Sequence, residues 1–189
     1  MLTGRLALPG PADTFIAYGQ GWANVSNTPF REYKHWEHEG GISTPLIAHW
    51  PQGIPASRQG GLERQPGHLI DLMATAVDLS EATYPAQRKG ADVPPFEGTS
   101  LRPALEGRPL LRQGPLFWEH EGNRAVRDGK WKLVSKHPRG WELYDVDADR
   151  TELTDLSSRA PERTRTMAAQ WDVWAKRVGV QPWPVAKPR

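Results

Sequence analysis

The sequence predicts a mixed chain, α+β in its own make-up, that ends in a four-stranded antiparallel sheet packed by a C-terminal helix. Three observations carry this. First, four short runs of strand composition follow one another: Leu116-Phe-Trp-Glu-His, Asn123-Arg-Ala-Val-Arg, Lys130-Trp-Lys-Leu-Val and Trp141-Glu-Leu-Tyr-Asp. Second, turn formers separate them, namely Glu121-Gly122, Asp128-Gly129 and Pro138-Arg-Gly140; Asp-Gly between two alternating runs is a strong hairpin signal. Third, Met167, Ala168, Trp171, Trp174, Ala175 and Val178 recur at helical spacing on one face. A sheet and a helix of this kind bury each other's apolar faces.

The elements follow in order. Residues 1–13 read as irregular around Pro9, Gly10 and Pro11, and residues 14–43 as loop with at most a short helix. Residues 44–50, apolar and bracketed by Pro45 and Pro51, read as a strand. Breakers make residues 51–66 a surface loop. Leu69, Ile70, Leu72, Met73, Ala74 and Val77 predict a helix over 67–79. Residues 80–100 return to loop, and Arg102 to Glu106 form one helical turn stopped by Gly107. The last helix starts at Pro161, a residue suited to the first helical position, and stops at Gly179. Two pieces are expected, an irregular segment with one strand and one helix over 1–110 and the sheet with its terminal helix over 111–189.

Composition narrows the functional classes. The chain has 189 residues, is 38% hydrophobic and 24% charged, and carries a net charge of only +2. No basic run is longer than two residues, which argues against a nucleic-acid partner. No apolar stretch approaches a membrane span, and the opening residues do not form a secretory h-region. No compartment is assigned. Cysteine is absent, so thiolate metal sites and cysteine nucleophiles are excluded for this chain.

The most informative stretch runs from Asn27 to Pro51. Lys34, His35, Trp36, Glu37, His38 and Glu39 precede Gly40-Gly41, and Pro45 and Trp50-Pro51 follow. A polar cluster on a loop entering a core strand is where a scaffold holds binding residues. The segment resembles the Lys…Glu-Gly-Gly…Pro…Trp-Pro region of type I sulfatases, the arylsulfatase family. Further similarity follows in order: Gly67-His-Leu-Ile-Asp-Leu-Met-Ala-Thr, Phe96-Glu-Gly-Thr-Ser-Leu, Arg124-Ala-Val-Arg-Asp-Gly-Lys-Trp-Lys-Leu-Val, Trp141-Glu-Leu-Tyr-Asp and Glu152-Leu-Thr-Asp-Leu.

The resemblance implies the C-terminal part of a larger α/β, alkaline-phosphatase-like sulfatase fold. It implies a sulfuric ester hydrolase in which Lys34 reaches the substrate's sulfate. It also implies calcium in the full-length enzyme, held by residues outside this chain, so no metal is expected on this chain alone. The family's nucleophile arises from a Cys/Ser-x-Pro-x-Arg motif, which does not occur here; Ser43-Thr-Pro-Leu-Ile has the wrong spacing and no arginine. The isolated chain is therefore expected to be inactive. Its expected partners are a sulfate-ester substrate in the full-length context and the N-terminal sulfatase portion, with no nucleic acid and no membrane. The alternative is a non-catalytic interaction or weak anion-binding module derived from a sulfatase.

Other constellations rank below Lys34. His38 is a candidate for a supporting role, although histidines here lack the spacing of a His-Glu-x-x-His metal pair. Trp36 is a candidate wall for a substrate pocket. Trp-Glu-His-Glu-Gly occurs at 36–40 and again at 118–122, which makes His120 a candidate to face the same cleft; read without that echo, it is a strand-end histidine. Asp145-Val-Asp147-Ala-Asp149 opens like a calcium loop but has Arg150 and Leu156 where that loop needs glycine and glutamate. It reads as a solvated turn. Trp131, Trp141, Trp171 and Trp174 read as core.

Overall fold

A computed structural model describes residues 19–185. The expectation for residues 1–13, and the start of that for 14–43, lie outside the described residues. The elements are α1 (Gly19–Ser26), α2 (Glu39–Ile42), α3 (Asp71–Ser80), β1 (Gln87–Arg88), β2 (Ala91–Asp92), α4 (Arg102–Leu105), β3 (Leu116–His120), β4 (Asn123–Asp128), β5 (Trp131–Ser135), β6 (Trp141–Asp145) and α5 (Pro161–Val178). The described residues form two compact units, one of residues 19–44 with 115–185 and one of residues 45–114.

The first unit is built on the antiparallel meander β3-β4-β5-β6. Turn chemistry sets its register. His120 pairs with Asn123 across Glu121 and Gly122, whose φ values of 51° and 80° are both positive, as a type I′ hairpin requires. Asp128 pairs with Trp131 across Gly129, at φ 56°. On one face Val126, Leu133 and Leu143 pack against Met167, Trp171 and Ala175 of α5, with Phe117, Trp131, Trp141 and Trp174 around them. The Trp171 indole donates to the Trp118 carbonyl at 3.0 Å, which fixes the helix over the sheet. Pro161 opens α5 and Gly179, at φ 76°, closes it.

The opposite face of the sheet is also buried. Ala125, Val134 and Tyr144 line it together with Val146. Residues 31–43 lie across it: Arg31 donates to the Tyr144 hydroxyl at 2.9 Å, His38 meets Glu142, and Lys132 meets Glu39. The sequence had predicted a helix on one face only. Both faces are covered because the loop around Lys34 folds onto the second.

The second unit corrects two expectations. Residues 44–50 are not a strand. No described strand runs alongside them, Pro45 and Pro51 lack an N–H, and Ile47 is 90% exposed. A strand is held by its ladder, and an unpaired apolar segment has none. The helix predicted over 67–79 begins at Asp71. Asp71 is buried and accepts hydrogen bonds from the His68 and Thr99 N–H groups and from Arg112. Burial opposes its ionisation, but those donors prevail and hold its pKa below the usual value. The Phe96–Leu101 loop docks on α3: Ser100 donates to Asp78 at 2.6 Å and the Leu101 N–H to Thr75 at 2.9 Å. Gly98 is required there, since a Cβ would stand 2.1 Å from the Ile70 carbonyl oxygen. Two further segments differ in detail from the sequence-based expectation. The segment read as irregular up to residue 43 contains α1 and the single turn α2, and the loop predicted over 80–100 contains the short β1-β2 hairpin.

Candidate functional site: the Lys34 loop on the sheet's second face

Two glycines shape the loop that carries Lys34. A Cβ on Gly40 would lie 2.2 Å from the Arg31 carbonyl oxygen, and one on Gly41 would lie 1.8 Å from that of Trp36. Only glycine allows so close a return of the chain. The Gly40 N–H donates to the Arg31 oxygen at 2.9 Å, closing the loop. Lys136 pairs with Glu32 at 2.6 Å and lies 4.2 Å above the Trp36 ring, so both flanks are held.

Beneath the loop sits a buried charge cluster. Lys132 is fully buried, 3.0 Å from Glu39 and 2.8 Å from Glu152. Its approach to Glu152 is an ion contact rather than an aligned hydrogen bond. The other Glu152 oxygen accepts the Glu39 N–H at 2.8 Å, so one carboxylate caps the turn α2 while neutralising the lysine. Burial opposes Glu39 ionisation, but Lys132 overcomes it and holds the Glu39 pKa below its usual value. A buried charge is tolerated when it is paired in this way.

A second cluster adjoins it. His38 is buried, and its Nε2 lies 3.2 Å from Glu142, which also accepts from the Tyr144 hydroxyl at 2.6 Å. The His38 hydrogen bond is the main cause that holds the Glu142 pKa down at about 2, against the opposing effect of burial. Glu142 is thus ionised and can only accept, so Nε2 carries the proton. The His38 Nδ1 is buried without a partner. Burial pushes the Glu37 carboxyl up to about 7, with Glu119 adding to the rise and Lys132 opposing it.

The four sequence candidates separate. Lys34 is exposed at the crest of the loop, with no ion pair or hydrogen bond to its amino group among the described residues. His38 points inward, to Glu142. Trp36 is half-buried under Lys136, and its indole N–H has no partner. His120 is exposed at the end of β3, with its ring 5.2 Å from that of His35. His35, which precedes the first Trp-Glu-His-Glu-Gly segment, and His120 of the second are tied together, since the Asn123 side chain donates to the His35 and His120 carbonyls at 3.0 and 2.9 Å; the histidine of the first segment, His38, turns to Glu142 instead. Sequence reasoning missed Lys132, Glu152 and Glu142. The period of two places Lys132 with Val134 on one face, which was the available signal.

No protein-family model matches the chain. Curated relatives do. A Schizosaccharomyces pombe sulfatase described as uncharacterized is 29% identical over 178 residues, 90% of this chain and 32% of the relative. The choline-sulfatase of Rhizobium meliloti is 30% identical, across 72% of this chain and 27% of its own. The N-acetylgalactosamine-6-sulfatase of Sus scrofa is 37% identical, across 66% and 22%. Among solved structures, Ps i-CgsB superposes with a TM-score of 0.66 at 24% identity, covering 79% of this chain and 32% of that one. A Bacteroides thetaiotaomicron protein of glycosaminoglycan metabolism gives 0.63 at 18% identity, covering 78% and 32%. The chain spans about a third or less of the length of these relatives. It has the fold of the corresponding sulfatase region, and it belongs to the sulfatase family as the C-terminal portion.

Proposed function

We propose that this chain supplies the C-terminal part of a sulfate-ester hydrolase, arylsulfatase-like in chemistry, and that Lys34 binds the sulfate group. The observation that carries this reading is the contrast between Lys34 and the lysines on the strands and turns of the sheet. Lys130, Lys132 and Lys136 are each paired with a carboxylate, whereas Lys34 is held outward on a pinned loop without one. Cleavage of a sulfate ester builds negative charge on the sulfate oxygens. A fixed ammonium at that position stabilises it most where water is excluded. Trp36 and His120 belong to the surroundings of that loop as candidate substrate contacts. His38 acts from below, through Glu142, by holding the loop in place.

The nucleophile and the calcium of the full-length enzyme come from residues outside this chain. Calcium takes six to eight oxygen ligands, and the donors present do not fit it. The candidate ligand cluster found among the described residues, His35, His120 and Glu121, is two-thirds nitrogen. Asp145 is engaged by Lys130 and Asp149 by the Leu153 and Thr154 N–H groups. The natural partner of the chain is the N-terminal sulfatase portion, and its substrate in that context is a sulfate ester. The test is an assay on a chromogenic aryl sulfate with calcium. The isolated chain is expected to show no turnover, and a full-length sulfatase carrying this chain as its C-terminal part is expected to be active. Turnover by the isolated chain at a full-length rate, or inactivity of the full-length protein, would overturn the reading.

A further inference from the structure

The hairpin β3-β4 and the Lys34 loop bring two imidazoles and a carboxylate together at the surface. His35, His120 and Glu121 each offer one ligand atom, and these atoms lie within 4.8 Å of one another. The His35 Nδ1 is already 3.2 Å from a Glu121 oxygen. In a tetrahedral zinc site with bonds of about 2.1 Å, neighbouring ligand atoms stand about 3.4 Å apart. One edge of such a site is therefore in place, and small side-chain rotations at His120 close the others.

The backbone under these residues is fixed. Glu121, at φ 51°, takes the conformation its hairpin turn requires, whereas His35 holds φ 101°, in the left-handed region that non-glycine residues seldom adopt. Strain of this kind persists only where the surroundings enforce it, and it gathers at functional sites. Here the buried Asn123 side chain holds the carbonyls of both histidines. The Gly122 N–H donates to Glu119 at 2.9 Å, and a Cβ on Gly122 would lie 2.9 Å from the His137 ring, so the turn is packed in position.

We propose that His35, His120 and Glu121 form a binding site for a divalent transition metal of the zinc class. Two imidazoles and one carboxylate are a three-ligand set that leaves the fourth tetrahedral position open. Imidazole nitrogen favours zinc and its first-row neighbours over calcium or magnesium. The His35 and Glu121 side chains remain 36% and 41% exposed, so an ion has a path in and water can fill the open position. The site is independent of the sulfate-binding assignment of Lys34, one residue along the chain from His35, and its test needs no enzymatic activity.

The experiment is titration of the full chain with Zn2+ by calorimetry, and with Co2+ by visible absorption. Saturable binding of one equivalent is expected, with the absorption bands of tetrahedral cobalt. His120→Ala is expected to weaken zinc binding by more than about a hundredfold, since even supporting partners of a ligand contribute 10–100-fold. Glu121→Gln, which keeps size and removes charge, is expected to weaken it by about tenfold on the same scale. His49→Ala, a change at an exposed histidine of the other unit, should leave binding unchanged. Circular dichroism establishes that each variant is folded, and His120 is exposed enough to be replaced without loss of core. Absence of saturable zinc binding by the folded chain, or binding that survives His120→Ala, would overturn the site.

Discussion

Two carboxylates, buried Glu37 of the Lys34 loop and partly buried Glu142 beneath it, respond to pH in opposite directions. Glu142, with a folded pKa of about 2 against an ordinary 4.5, contributes stability that is complete above the ordinary value. That stability is lost as pH falls toward 2. The cause is the His38 hydrogen bond, so His38→Ala should remove much of it, on the order of 3 kcal/mol for a shift of this size. Glu37 behaves inversely. Its folded pKa of about 7 means its favourable contribution is present below 4.5 and lost as pH rises through 7, where the buried carboxylate must ionise. Glu37→Gln is therefore expected to stabilise the protein above pH 7 by roughly 2–3 kcal/mol and to change little at pH 4. Urea unfolding of parent and Glu37→Gln at pH 4, 6 and 8, and of parent and His38→Ala at pH 6 and at about pH 2, measures both. A Glu37→Gln effect that is the same at all three values would contradict this assignment.

At the scale of elements, the join between the Lys34 loop and the sheet depends on Lys132. Its amino group ties α2, through Glu39, and the segment after β6, through Glu152, to the middle of β5. Removing one member of a buried charge group leaves the others uncompensated, at a cost of about 3–5 kcal/mol. Lys132→Met is expected to lower stability by that amount, measured by chemical denaturation, and a loss below about 1 kcal/mol, the worth of an exposed pair, would contradict it. This cluster also marks the limit of what the sequence made legible. The meander was readable because its turns are local: Glu121-Gly122 and Asp128-Gly129 name their own hairpins. Helix α5 was readable for the same reason, from Pro161, Gly179 and the tryptophan stripe between them. Lys132 and Glu39 are 93 residues apart and Glu39 and Glu152 are 113 apart. Each alone reads as a solvated charge, and only the tertiary fold makes them partners. The Lys34 loop was found by its glycines and its motif, and His38 was legible as a candidate support, whereas its burial against Glu142 was not, because burial is not a local property. The missing strand at 44–50 fails for a related reason: its apolar run is local, but the ladder it needs is not.

At the scale of the whole molecule, apolar side chains remain uncovered in the unit of residues 45–114. Leu46, Ile47, Leu62 and Leu69 are 62%, 90%, 81% and 78% exposed. So many large apolar side chains left in water on one unit are the mark of an interaction face. The proposed occupant is the N-terminal portion of the sulfatase. Without it the chain is expected to self-associate, and Ile47→Lys with Leu46→Lys should shift it toward monomer in sedimentation velocity. A monomeric parent chain with a sharp melt would contradict this. Among the described residues no helix is long and apolar enough to cross a membrane, so insertion of such a helix does not explain the exposed face. The central claim remains that Lys34 is the sulfate-binding cation of a hydrolase completed outside this chain. The most direct test is kcat/KM for an aryl sulfate in a full-length sulfatase carrying this chain, before and after Lys34→Ala. A fall of about a hundred- to a thousandfold is expected, equivalent to roughly 2.7–4 kcal/mol of lost transition-state stabilisation, with stability changed by no more than about 0.5 kcal/mol because the side chain is exposed. Lys34→Arg should restore activity only in part, since a planar fork does not place charge where a compact ammonium does. Turnover within a few-fold of the parent after Lys34→Ala would contradict the claim.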